Sequence, residues 1–152
     1  MNTSSVRDLI PVLQTAIGPV ILISGIGLLL LTMTNRLGRA IDRARLLAAQ
    51  LPKAEGASRH AIKGQLHILW KRARLIRVAI ALATTSALAA ACLVILIFFT
   101  ALWNFEIGWM ISSMFVFCMV CLILALAVFL DDINRSLGAL RLELDLEGLE
   151  DS

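Results

Sequence analysis

The chain has 152 residues, 59% hydrophobic and 16% charged, with a mean hydropathy of +0.87 and a formal net charge of +3. This apolarity lies far outside the norm for a soluble domain and excludes one. No HExxH, glycine-rich phosphate loop or Ser-His-Asp grouping is present, so the sequence predicts no enzyme, no cofactor and no metal.

Leu9 to Asn35, Val78 to Phe105 and Ile107 to Leu130 carry no charged side chain. Each exceeds the roughly 20 apolar residues that cross a ~30 Å hydrocarbon core as a helix. Lipid offers the backbone no outside hydrogen-bond partner, so the spans must be helical. The prediction is a single all-α membrane domain. It divides into a first span over about 10–34, a helical hairpin over 35–76 and a second span over 77–102. An outer turn at 103–108, a third span over 109–130 and a tail helix over 131–152 complete it.

The first span carries a stripe at alternating four- and three-residue steps: Gln14, Gly18, Ile21, Gly25, Leu28, Thr32, Asn35, Arg39 and Asp42. Apart from Ile21 and Leu28 its members are small or polar. One reading is a pore lining in a homo-oligomer, with Ile21 and Leu28 as apolar constrictions and Thr32 and Asn35 as a polar inner mouth. The other is helix packing, because small residues let membrane helices approach closely. Pro19 within this span is expected to bend it. The span is too long for a signal-peptide core, and its basic flank follows the apolar run, so it reads as a retained anchor.

Between the first and second spans lie eleven of the fourteen basic residues, from Arg36 to Arg77. The connection Trp103-Asn-Phe-Glu-Ile-Gly-Trp109 has none. The positive-inside rule therefore predicts a cytoplasmic first connection, an N-terminus outside and a C-terminus inside. Trp103 and Trp109 fit an interfacial aromatic belt.

The basic connection is patterned. Leu37, Ile41, Ala44, Ala48 and Leu51 repeat at helical spacing, and so do Ile62, Leu66, Leu69, Ala73 and Ile76. That predicts an antiparallel coiled-coil hairpin, turning at Pro52 to Ser58, with Ser58 capping the returning helix. About fifteen residues at 1.5 Å each would project it ~20–25 Å from the bilayer. Its cations adjoin two spans, which points to anionic lipid headgroups or a protein partner rather than nucleic acid. Arg36, Lys71, Arg72, Arg74 and Arg77 are the candidates for that contact. Arg36 is placed to snorkel to phosphates.

Span two is rich in Ala, Ser and Thr from Ala79 to Cys92, the composition of a close-packing helix. Cys118 and Cys121 have metal or redox spacing but no second ligand pair, and read as packing residues. His60 and His67 have no carboxylate at ligand spacing. The tail holds seven of the eleven acids, Asp131 and Asp132 among them, interleaved with leucines. It invites docking on the basic hairpin and is expected to fray beyond Gly148. No acid or base falls within the three uncharged runs, which disfavours proton relays and ion-coupled transport but leaves a passive pore open.

Asn35-Arg36 followed by Arg39-Ala-Ile-Asp42-Arg43-Ala-Arg45 resembles a family of small bacterial three-span inner-membrane proteins catalogued as a domain of unknown function. The resemblance implies a bacterial inner-membrane location and carries over no activity. Asp42 lies three residues from both Arg39 and Arg45 and can pair with either. Its place on the stripe also makes it a candidate intersubunit contact. The expected function is a homo-oligomeric membrane protein that forms a passive ion channel or pore lined by the first helix. The alternative is a structural or accessory subunit that binds a partner or anionic lipid through its basic hairpin.

Overall fold

The computed structural model describes the backbone over residues 3–103 and 108–150, and side chains over 10–11, 13–101 and 108–135. It is helical throughout, with no strand among the described residues. Three long helices follow in order: α1 (Thr3–Gln50), α2 (Gly56–Trp103) and α3 (Gly108–Glu150). All three are long and apolar enough to cross a membrane, as a membrane protein requires.

The α1–α2 connection follows from its residues. A 3₁₀ turn at Leu51–Lys53 has Pro52 near its start, where the missing N–H costs nothing. Ala54 is extended and Gly56 adopts a left-handed φ of 58°, which glycine alone takes without steric penalty. α2 therefore begins at Gly56, two residues before the predicted cap at Ser58. α1 stays helical through Pro11 and Pro19, with Pro19 buried. The expected turn at 103–108 lies mostly outside the described residues. The segment expected as a tail helix continues α3 without a break as far as Glu150.

The chain divides into two compact units. Unit 1 comprises Met1–Thr32 and Ile80–Leu124. Its core is built on small residues of α2: Ala89 and Ala90 pack with Cys118, against Leu22, Ile23 and Met114. Ala83, Ser86, Ala90, Leu93 and Ile97 are buried at three- and four-residue steps, the seam that lets membrane helices close together. The neighbouring Ala81, Thr84 and Thr85 face outward.

One polar link crosses this core. The Ser86 hydroxyl donates to the Cys118 carbonyl at 2.8 Å, and the Cys118 thiol donates to the Ser86 carbonyl at 3.2 Å. Elsewhere in unit 1, hydroxyls fold back on their own helix. Thr15, Ser24, Thr84 and Thr85 each donate to the carbonyl four residues earlier, so their polar groups are satisfied without a neighbour.

Unit 2 comprises Met33–Ala79 and Ala125–Ser152. Met33, Leu69, Ile76, Ala79 and Ala125 are buried in it, and with them one charged residue, Asp132.

Candidate functional site

α3 buries Cys118, Leu122, Ala125 and Asp132 at steps that keep one helix face. Asp132 completes that apolar row, and its side chain is 0% exposed. A buried carboxylate needs cations, and unit 2 supplies one from each of the other helices. Arg36 of α1 lies 3.6 Å from Oδ2, and Nε of Arg72 of α2 lies 3.5 Å from Oδ1. The Arg36 guanidinium also sits 5.3 Å from the centroid of Phe129, one turn before Asp132. Three helices are thus tied at one point by a two-arginine clamp. The adjacent Asp131 points elsewhere and pairs with Arg135 at 2.9 Å on an exposed face, one helical turn on.

The clamp redistributes the predicted lipid- or partner-binding cations. Arg36 and Arg72 are half-buried on Asp132 within the protomer. Lys71, Arg74 and Arg77 remain exposed, and Arg74 stacks on Trp70 at 5.7 Å from the ring centroid. By composition Asp132 belongs with the acidic tail. Its signal was register: Cys118, Leu122, Ala125, Phe129 and Asp132 follow four-three-four-three steps, whereas Asp131 does not.

A second feature of unit 2 is a groove of about 850 Å³ between the facing stretches of α1 and α2. Leu37, Ile41, Ala44, Leu66, Leu69 and Ala73 form its apolar floor. Arg45, Lys63, Arg74 and Arg77 line it together with His67 and Trp70, and no acidic residue does so among the described residues. These floor positions belong to the predicted coiled-coil seam. Alanines at 40, 44, 48 and 73 are among its lining residues, and their short side chains occupy little of the space between the helices.

The first-helix stripe is exposed at every position. In unit 1, Gln14, Gly18, Ile21, Gly25, Leu28 and Thr32 all face away from the protomer, with Ile21 66% and Leu28 70% exposed. A Cβ added at Gly18 or Gly25 would meet nothing within 4 Å. The Thr32 hydroxyl donates to the Leu28 carbonyl at 3.1 Å. In unit 2, Asn35, Arg39 and Asp42 are exposed as well. Among the described residues Asp42 makes no ion pair with Arg39 or Arg45, and Gln14 and Asn35 make no side-chain hydrogen bond. Cys118 and Cys121 are buried free thiols, and His60 and His67 are exposed.

The model of a family described as a protein of unknown function, DUF2721, matches residues 16–142. No curated protein and no solved structure matches the chain.

Proposed function

Because the chain belongs to the DUF2721 family, whose function is unknown, no activity comes to it from relatives, and we propose from its own geometry a homo-oligomeric membrane protein whose first helices surround a central pathway for ions. In this reading it is a bacterial inner-membrane protein with its N-terminus outside. The extensions of α1 and α2 form a cytoplasmic hairpin, and the C-terminus lies inside, as the cation distribution favours.

The observation that carries the proposal is the exposed stripe. Among the described residues nothing lies within 4 Å of a Cβ built at Gly18 or Gly25, and Gln14 and Asn35 make no side-chain hydrogen bond on the same face. Lipid-facing positions favour neither. Neighbouring copies or water satisfy both, and three helices alone cannot enclose a passage. Ile21 and Leu28 would form the apolar constrictions, and Asp42 a contact between subunits.

Native mass spectrometry in lipid nanodiscs tests the assembly, with about four or more subunits expected of a ring. Asp42→Ala should lower the oligomer fraction, and Leu28→Ala should raise ion flux in liposomes. A monomer or simple dimer refutes the pathway.

A second reading, an accessory subunit using its basic hairpin, is favoured by the exposed Lys71, Arg74 and Arg77. Reversing Lys71 and Arg74, which lie outside the clamp, would then abolish association while leaving any conductance unchanged.

A further inference from the structure

The groove of unit 2 and the Asp132 clamp use opposite sides of α2. Lys63, His67, Trp70, Arg74 and Arg77 follow four-three-four-three steps along one face. Ile76 and Ala79 are buried on another face together with half-buried Arg72, which meets Asp132 of α3. Arg72 and Arg74 are two residues apart, a rotation of about 200° on a helix of 3.6 residues per turn. α3 therefore docks away from the groove. It is one unbroken helix to Glu150, so residues 137–150 lead on from the clamp side.

The groove asks for a particular occupant. On α1 its lining runs from Leu37 to Ala48, an axial length of about 16 Å, the length of a three-turn helix. That reaches well past the headgroup layer, so a lipid would fill only its lower part. An apolar floor under a wholly basic rim fits an acidic amphipathic helix. The chain itself contains one. Residues 137–151 carry Glu143, Asp145, Glu147, Glu150 and Asp151 against the single Arg141. Leu137, Leu140 and Leu144 form one row, and Leu142, Leu146 and Leu149 a second. One row can serve its own protomer and the other a neighbour.

We propose that the groove between α1 and α2 receives the acidic, leucine-rich segment 137–151 of a second copy of this chain. This rests on the homo-oligomeric reading and gives it an intersubunit lock, separate from the α1 stripe. Arg45, Lys63, Arg74 and Arg77 meet the carboxylates, and Leu37, Ile41 and Leu66 receive the leucines.

Photo-cross-linking in native membranes tests this. p-Benzoylphenylalanine replaces the exposed His67, and two differently tagged copies are co-expressed. The expected product carries both tags and maps by peptide mass spectrometry to residues 137–151. Glu143→Lys, Asp145→Lys and Glu147→Lys together should lower its yield about tenfold, the loss expected of a few exposed ion pairs. An added peptide of sequence 137–151 should compete in permeabilised membranes without any change to the folded chain. An adduct within one chain overturns the proposal, as does an adduct to lipid or to another protein, or none at all. If native mass spectrometry still finds the oligomer in those cases, only the tail contact falls. If it finds a monomer, the oligomeric reading falls with it.

Discussion

Removing the charges of the Asp132 clamp one by one should give an asymmetric pattern of stability. At 3.5–3.6 Å each Arg–Asp132 pair has a gross attraction of about 5 kcal/mol at an effective dielectric constant of 20. Desolvation of a carboxylate with no exposed surface cancels much of that. The arginines retain 24% and 31% exposure and can turn toward water if their partner is lost. Asp132 cannot. Asp132→Asn should therefore cost about 1–2 kcal/mol, because no buried charge is orphaned. Arg36→Met with Arg72→Met should cost about 3–5 kcal/mol, because the buried carboxylate loses both arginines.

The decisive variant is the triple. Adding Asp132→Asn to the two methionine substitutions should restore about 2 kcal/mol, since no ion then remains to be solvated. Tryptophan fluorescence during SDS titration in mixed micelles ranks the variants, with oligomer mass recorded alongside. If the triple variant is no more stable than the double, the burial of Asp132 does not govern the stability of this junction and the reasoning fails.

Other positions give independent checks. Gly25→Leu should abolish the oligomer in native mass spectrometry while leaving protomer unfolding unchanged, because Gly25 is exposed and a Cβ there meets nothing within 4 Å among the described residues. Equal loss of both would place Gly25 in the fold instead. Ala83→Leu, at a position with no exposed surface, should destabilise by about 1–3 kcal/mol through overpacking, whereas Thr84→Leu on the outward face should be near neutral in the same titration. Gly56→Ala should cost about 1 kcal/mol, because its left-handed backbone penalises a Cβ even in open space.

The three helices were legible from the uncharged runs alone, because the length that lipid demands is a crude and strong signal. The α1 stripe was legible for a related reason: alternating steps of four and three map onto one face whatever that face contacts. The clamp was harder. Asp131 and Asp132 sit side by side at the head of an acidic segment, and composition merges them. Only the phase of the buried row from Cys118 onward separates the inward acid from the outward one. The groove was not legible, for a different cause. Hydrophobic spacing from Leu37 to Ala48 identifies a face turned toward α2, but whether two faces close depends on side-chain volume, and alanine at the seam leaves space. Arg36 and Arg72 show the same limit. Their position after or before an apolar run suits a headgroup contact, and nothing in that position reveals the carboxylate of α3 that they also meet.

The hydroxyls and the clamp also differ in when they can be satisfied. Thr15, Ser24, Thr84 and Thr85 complete their hydrogen bonds inside a single turn of their own helix, so each segment can enter the bilayer alone with these groups satisfied. Asp132 differs: its two arginines belong to helices synthesised earlier, and the acid itself comes last in the chain. Insertion of the first two helices therefore leaves a waiting pair of cations, and arrival of the third neutralises them. The clamp is therefore a contact between all three helices that forms only once α3 has been made.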